Sequence, residues 1–435
     1  MSSKPSITIQ TLGCKLNQAE SERIGRALAE SGYTVTGGDK ADIFVLNTCT
    51  VTHVADRKSR HMVRMLRKNN PRALIAVIGC YAERDAEALA DCGADIVTGN
   101  EKKMELPQII KEKLDLITLI PQKGTGIEQL DRVRSFIKIQ DGCRNYCSYC
   151  IVPLVRSQVC CIPIEDVIAE VGSRVDDGYK EVVLTGTEIG AYQYEQVDLA
   201  HLIQLILKHT AIQRLHLSSL QPQQITADLI DLWQDRRLCR HFHIALQSGS
   251  EAVLKRMRRR YNVDEYRKAV QNIRKKVPDA AVTTDIMVGF PGESQAEFEE
   301  SYLFCKEMEF AAIHVFAYSP RPGTLAASMP GRVSEKVKKE RSLRMLDLAA
   351  VSAENFSARL IGRTRDVLWE NEVKKGTGVY SGLTDNYVRA YARSHADISN
   401  TILRAKMTVP AMNADKSLMR ASTKGNHGEI WSEIV

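Results

Sequence analysis

The sequence predicts an α/β protein in three parts: an N-terminal doubly wound parallel-sheet domain, a central partial (β/α)6 barrel and a small C-terminal β-barrel. Three observations carry this expectation. From residue 1 to about 120, short β-branched or apolar runs alternate with helical stretches. A second alternating series of six strand–helix units spans about 135 to 355. After Gly362 the texture changes to short β-type runs separated by turn residues. The expected boundaries are 1–120, a linker at 121–134, 135–358, and 360–435. With 435 residues, domains of roughly 100–200 residues give two to four.

In the first part the strand candidates are 7–11, 43–46, 74–78 and 94–97, with helical patterns at 18–31 and 55–68. The segment 121–126 reads as a linker from its Pro and Gly content. The second series places strands at 136–140, 181–184, 214–217, 242–246, 282–288 and 313–316, with helices such as 163–176, 226–234 and 295–308 between them. A parallel barrel builds its site from loops at the carboxyl ends of its strands. In the third part, 366–369 and 387–391 are the clearest β-type runs.

Hydrophobic residues make up 44% and charged residues 26% of the chain, an ordinary balance for a water-soluble globular protein. The net charge of +7 leans toward an acidic partner such as nucleic acid. The first five residues lack an apolar secretory core, and the longest near-apolar run, 73–82, is far short of the ~18 residues a membrane span requires. A cytoplasmic location without membrane contact is therefore expected. In that reducing compartment the eleven cysteines do not form a disulfide framework, and their odd number also argues against one.

Six of the eleven suit metal ligation. Cys14, Cys49 and Cys80 each sit just past a strand candidate, so parallel strands would deliver all three thiols to one edge. Cys143, Cys147 and Cys150 lie on one loop after the first barrel strand, in the pattern C-x-x-x-C-x-x-C. Zinc ordinarily takes four ligands, commonly from two C-x-x-C knuckles, and this loop offers three with no fourth Cys or His. Two three-thiolate sites suggest two metal clusters, each with one iron left free for chemistry. A zinc knuckle is the alternative for the loop, and thiols packed at strand ends are the alternative for the front trio. Gly13, Thr48 and Gly79 precede the three front thiols, and Thr48 and Thr50 are alternatively helix caps. Cys92, Cys160, Cys161, Cys239 and Cys305 match no ligand spacing and read as inert or packing thiols.

The loop 141–150, including the aromatic Tyr149 before its last cysteine, matches the pattern with which radical S-adenosylmethionine enzymes hold their cluster. Candidate cofactor contacts at the barrel strand ends are Tyr149, Thr185, Gly186, Thr187, Glu188, Ser218, Gln247 and Asp285. Tight loops that merely close the barrel are the alternative.

More widely, the segments 12–17, 47–52, 78–81, 143–153 and 246–250 together resemble the methylthiotransferase family of radical S-adenosylmethionine enzymes. The segments 367–370 and 382–388 look like the TRAM domain, an RNA-binding barrel that such enzymes carry. The resemblance implies two four-iron, four-sulfur clusters: Cys14, Cys49 and Cys80 hold an auxiliary cluster and Cys143, Cys147 and Cys150 the radical-generating one. It implies that one S-adenosylmethionine methylates sulfur at the auxiliary cluster and a second yields the radical that removes hydrogen from C2 of a modified adenine. Residues 13–18, 49–52 and 55–60 look most like the branch acting on N6-threonylcarbamoyladenosine at position 37 of tRNA. The partners so implied are that tRNA, an electron donor and a sulfur donor. Rival expectations are a methylthiotransferase for another tRNA base or a ribosomal protein side chain, and an iron–sulfur RNA-binding sensor without turnover. Arg156-Ser157 and Trp369 depart from the family pattern.

For RNA contact the candidates are Lys255, Arg256, Arg258, Arg259 and Arg260, the helix bearing Arg57, Lys58, Arg60, Arg64, Arg67 and Lys68, and Tyr387 as a stacking platform. A solvated charged helix face and a packed barrel tyrosine are the alternatives.

Overall fold

The computed structural model describes residues 5–115, 133–410 and 428–435. The expected 121–126 linker lies outside the described residues. The described chain divides into two compact units, one holding the N-terminal sheet with 141–160 and 319–327, the other holding the remaining residues.

In the first unit, five parallel strands, Ser6–Thr11, Thr34–Thr36, Ile43–Thr48, Leu74–Gly79 and Ile96–Thr98, pair in the order 2-1-3-4-5. Strands 3 and 4 are buried along their whole length because both faces are covered. Phe44, Leu46, Ile75 and Val77 pack with Val63 and Leu66 of helix His53–Asn69. Ile43, Val45, Leu74 and Ala76 pack on the other side with Ile24 and Leu28 of helix Lys15–Glu30 and Ile110 of helix Leu106–Asp115. The edge strand Thr34–Thr36 is not among the expected strands. Its three half-buried residues are too few to show a periodicity. The last strand begins later than expected, at Ile96, and just before it the Asp95 side chain accepts from Arg67 and from the Ile75 backbone.

The second unit contains six parallel strands, Arg134–Asp141 (to Gln140 in this unit), Glu181–Gly186, Arg214–Leu217, His241–Ile244, Ala281–Val288 and Ala312–Ala317. Strands one to three pair in sequence order, as do four to six. Ser219–Leu220 continues the third strand beyond Ser218 and pairs with the fourth, so the series forms a partial (β/α)6 barrel. Alternate residues such as Ile137, Leu184, Leu215, Phe242, Ile286 and Ile313 join the apolar core. The intervening positions, including Thr185, His243, Asp285 and His314, face the lumen by the period of two. The stretch expected as a helix at 226–234 breaks into helix Ala227–Asp231 and a 3-10 turn, Leu232–Gln234.

The C-terminal strands Thr364–Glu372, Val379–Thr384, Arg389–Arg393, Ile402–Pro410 and Ile430–Ile434 close into a five-stranded barrel. Trp369 fills its core, which accounts for a large residue at that position. No helix among the described residues is long and apolar enough to cross a membrane.

Candidate functional site

The three front thiols come together because strands 1, 3 and 4 of the first sheet are neighbours. Cys14, Cys49 and Cys80 follow their carboxyl ends, beside the point where the strand order reverses and where such sheets bind ligands. The loops are woven into one another. Asn17 Nδ2 donates to Leu12 O at 2.8 Å and Thr48 O at 3.0 Å, and Asn47 Nδ2 donates to Asn17 O at 2.9 Å. Two glycines are required here. Gly13 has φ +112°, and a methyl built on it would lie 2.6 Å from Cys49 Cβ; Gly79 has φ +95°, and its methyl would lie 2.4 Å from Asn47 Oδ1.

Burial pushes the Cys49 thiol up to about 12, and the neighbouring Cys14 and Cys80 add to the rise. Cys14 is exposed at the surface, yet the loops crowding its sulfur raise it too, by desolvation first and by Cys80 and Glu20 among the lesser causes, while Asn17 and Arg156 act oppositely. Each of the two thiols therefore feels other members of the trio. Three soft sulfurs gathered at one sheet edge suit a metal cluster, whose positive irons would hold them as thiolates. Neither Thr48 nor Thr50 caps the next helix. Thr52 does so by accepting from Ala55 N at 3.2 Å, while Thr48 Oγ1 donates to Ile78 O at 2.6 Å and Thr50 Oγ1 to Asp56 Oδ1 at 2.6 Å.

The loop bearing Cys143, Cys147 and Cys150 belongs to the same unit. Its thiols are half-exposed, and the loop is held by Cys150 N donating to Cys147 O at 3.0 Å and Ala326 N donating to Ser148 O at 2.7 Å. Tyr149 is half-buried in it, and Tyr146, with φ +48°, projects to solvent. Three thiolates at the strand end, with no fourth Cys or His in the loop, fit a four-iron cluster with one open iron. None of the eleven cysteines forms a disulfide; Cys92, Cys239 and Cys305 are buried packing thiols, whereas Cys160 is exposed and Cys161 half-exposed.

Two buried polar networks flank the front trio, and neither is evident in the sequence. Arg156 donates to Glu20 at 2.9 and 3.0 Å, to Asp141 at 2.8 and 2.9 Å, to Asn17 at 3.2 Å and to Cys80 Sγ at 3.3 Å. Lys103 also pairs with Glu20. The Arg156 side chain is only 3% exposed, so the partners are required by the cost of burying its charge. Ser157, which stands where the family pattern differs, is exposed. On the other side, Arg321 and Arg84 both bind Asp56 at 2.7 Å, and both donate to Thr50. The signal that could have revealed Arg156 is its position immediately after the cysteine loop.

The remaining cofactor candidates lie in the second unit. Thr185 is buried, and Gly186 follows it where a side chain would collide with Gln140 O at 2.6 Å. Gln140 Oε1 accepts from Glu188 N at 2.7 Å, while Glu188 accepts from Gln221 at 2.6 Å and Gln224 at 3.1 Å. Thr187 is half-buried on the same turn, and Ser218 N donates to Leu184 O at 3.0 Å. Gln247, with φ +70°, bridges to the fifth strand through Asp285 O and Met287 N. Asp285 is further down that strand, 3.3 Å from His243 Nε2, with His314 closing a group whose ligand atoms lie within 4.8 Å of one another. Both histidines were missed in the sequence because they sit inside strands rather than in loops.

The basic run is divided. Lys255, Arg258 and Arg260 are exposed. Arg256 grips Glu297 at 2.9 and 2.8 Å, and Arg259 donates to Tyr261 OH at 3.0 Å and lies over its ring. Both side chains also serve the fold, and both remain half-exposed. On helix His53–Asn69, Arg57, Lys58, Arg64 and Lys68 are exposed, while Arg60 binds Tyr81 and Arg67 binds Asp95. Tyr387 departs from the expected β-type run in its position. It is not on a strand but in the turn before Arg389–Arg393, with φ +66°. Its ring stacks on His216 and His241, its hydroxyl donates to Glu181, and Arg134 and Arg214 flank it. The ring is engaged by histidines and guanidinium groups of the protein itself, as in the packed-tyrosine alternative.

Two family models match the chain. Residues 6–99 match the family described as "Uncharacterized protein family UPF0004", and residues 137–305 match the "Radical SAM superfamily". The chain is 37% identical to the threonylcarbamoyladenosine tRNA methylthiotransferase MtaB of Bacillus subtilis, covering 92% of this chain and 93% of the relative. It is 36% identical to the protein of the same name from Thermotoga maritima, covering 88% and 90%. It is 33% identical to a tRNA-2-methylthio-N(6)-dimethylallyladenosine synthase from Thermodesulfovibrio yellowstonii, covering 89% and 93%. Among solved structures, the radical S-adenosylmethionine methyltransferase TsrM of Kitasatospora setae aligns with a TM-score of 0.55 at 13% identity, covering 75% of this chain and 77% of that one, a likeness of fold.

Proposed function

Because the chain belongs to the methylthiotransferase family of radical S-adenosylmethionine enzymes, we propose that it converts N6-threonylcarbamoyladenosine at position 37 of tRNA to its 2-methylthio derivative. The observation that carries this is the donor set in one compact unit: Cys14, Cys49 and Cys80 at neighbouring strand ends, and Cys143, Cys147 and Cys150 on the loop leading to Arg156, which donates to Cys80. Cys14, Cys49 and Cys80 would hold the auxiliary cluster, and Cys143, Cys147 and Cys150 the radical-generating one. When bound, such a cluster with S-adenosylmethionine supplies one-electron chemistry able to activate a C–H bond.

The chain's own contribution is position and shielding. Asn17 and Asn47 hold the loops of the front trio together. Tyr149, Thr185 to Glu188, Ser218, Gln247 and Asp285 are assigned to cofactor contact, and Lys255, Arg258 and Arg260 to tRNA phosphates. An external electron donor and a sulfur donor complete the reaction. The functional segments are taken as 1–120, 135–358 and 360–435, joined by 121–134, in a cytoplasmic protein.

The test is mass spectrometry of tRNA nucleosides from cells lacking this protein, in a strain without a redundant enzyme and with that strain as the reference. Loss of 2-methylthio-threonylcarbamoyladenosine is expected. Loss of the 2-methylthio-dimethylallyl nucleoside instead would move the substrate to the third relative's chemistry. A non-catalytic iron–sulfur sensor would release no 5′-deoxyadenosine from S-adenosylmethionine under reduction, whereas this enzyme would.

A further inference from the structure

Arg156 leaves the cysteine loop six residues after Cys150 and is locked on all sides within the first unit. Its terminal nitrogens are held by Glu20, Asp141 and Asn17, so the plane of the guanidinium is fixed. The remaining donor, Nε, is aimed at Cys80 Sγ, 3.3 Å away. A second donor, Asn100 Nδ2, lies 3.7 Å from the same sulfur and is pinned by Val155 O at 2.6 Å and by Lys103, which donates to Asn100 Oδ1. Ile151 and Val155 pack against Cys80 and shield this sulfur.

We propose that Arg156 sets the reduction potential of the cluster carried by Cys14, Cys49 and Cys80, through the hydrogen bond from Nε to Cys80 Sγ. This rests on the assignment of those three cysteines as ligands. Adding one electron to an iron–sulfur cluster increases the negative charge on its sulfurs. A fixed N–H donor therefore stabilises the reduced form more than the oxidised one and raises the potential. The effect comes from direction rather than net charge, because Arg156 and Lys103 are balanced by Glu20 and Asp141.

Arginine suits this role because three of its nitrogens can be divided among separate partners in one rigid plane. Lysine, a flexible point charge, would keep the balance with the carboxylates but not the aimed donor. Asp141 stands two residues before Cys143, so the same side chain that bonds to Cys80 also seats the base of the radical loop. Arg156 is thus a positioning residue linking the two thiolate sets.

The experiment uses the full chain, reconstituted anaerobically with Cys143, Cys147 and Cys150 replaced by Ala, so that one cluster remains, and follows its reduction by electron paramagnetic resonance. In this background Arg156→Lys is expected to lower the midpoint enough to change the reduced-to-oxidised ratio about tenfold, about 59 mV for one electron. Asn100→Ala is expected to give a smaller shift of the same sign. An unchanged midpoint in Arg156→Lys at full iron content overturns the proposal. Should Arg156→Lys fail to hold the cluster, Arg156→Gln, which also lacks the aimed Nε donor, takes its place, and an unchanged midpoint there overturns the proposal. A background protein that binds no iron would overturn the ligand assignment itself, so the two failures are distinguishable.

Discussion

The ring of Tyr387 lies on the imidazole of His216 with centroids 4.0 Å apart and planes 21° from parallel. The residues around it begin successive barrel strands: Arg134 the first, Glu181 the second, Arg214 the third and His241 the fourth. Arg214 also donates to Leu383 O and Thr384 O, both at 2.8 Å. Within the second unit the C-terminal barrel is therefore docked at the amino ends of the strands, the end opposite the loops bearing Glu188 and Gln247. Tyr387→Ala should destabilise this junction by about 3 kcal/mol, as other large aromatic truncations do, and Tyr387→Phe by about 1 kcal/mol. Thermal unfolding measures both. Unchanged melting in Tyr387→Ala would show that the ring contributes no packing.

Replacing Lys255, Arg258 and Arg260 together by Ala should weaken tRNA binding and flatten its dependence on log salt by about one for each phosphate no longer neutralised. Stability should change by no more than about 0.5 kcal/mol, because the three side chains are exposed. Arg256→Ala should act differently and lower stability, since it removes the grip on Glu297. A triple variant that binds tRNA with the parent's salt slope would remove this surface from the interface.

Gly79→Ala places a methyl 2.4 Å from Asn47 Oδ1 at a φ of +95°. The backbone alone costs about 1–2 kcal/mol there, and the collision must push apart the Cys49 and Cys80 loops. Iron content after anaerobic reconstitution should fall by about half, to the four irons of the loop cluster. A variant that retains the parent's full iron content would show that the glycine does not set the ligand geometry.

Asp279 binds Arg363 at 2.5 Å and Arg365 at 2.7 Å, where the chain enters the C-terminal barrel. Burial by itself would raise its carboxyl, but the two guanidinium groups outweigh this and hold it below the ordinary range. A folded value below the unfolded one means that the contribution is complete above the unfolded pKa, about 3.9, and is lost as pH falls through the folded value. Urea unfolding of the metal-free protein should therefore show stability declining below about pH 4, with a shallower decline in Asp279→Asn. An identical slope in the variant would exclude this pair as the source.

What the residues announce by themselves is the periodic and the local. Alternating β-branched runs and helical stretches specify the parallel sheets, because strand and helix periods are written in adjacent residues. The spacing of Cys143, Cys147 and Cys150, and the placing of Cys14, Cys49 and Cys80 after strand candidates, are likewise readable along the chain. What only the folded chain decides is which distant groups meet. Glu20 and Arg156 are 136 residues apart, and Tyr387 and Glu181 are 206 apart. No local pattern records such pairs, and the same Arg or Tyr on an exposed face would read identically in sequence. Their roles are fixed by burial, which obliges a charged or polar side chain to find its partner wherever the fold brings one.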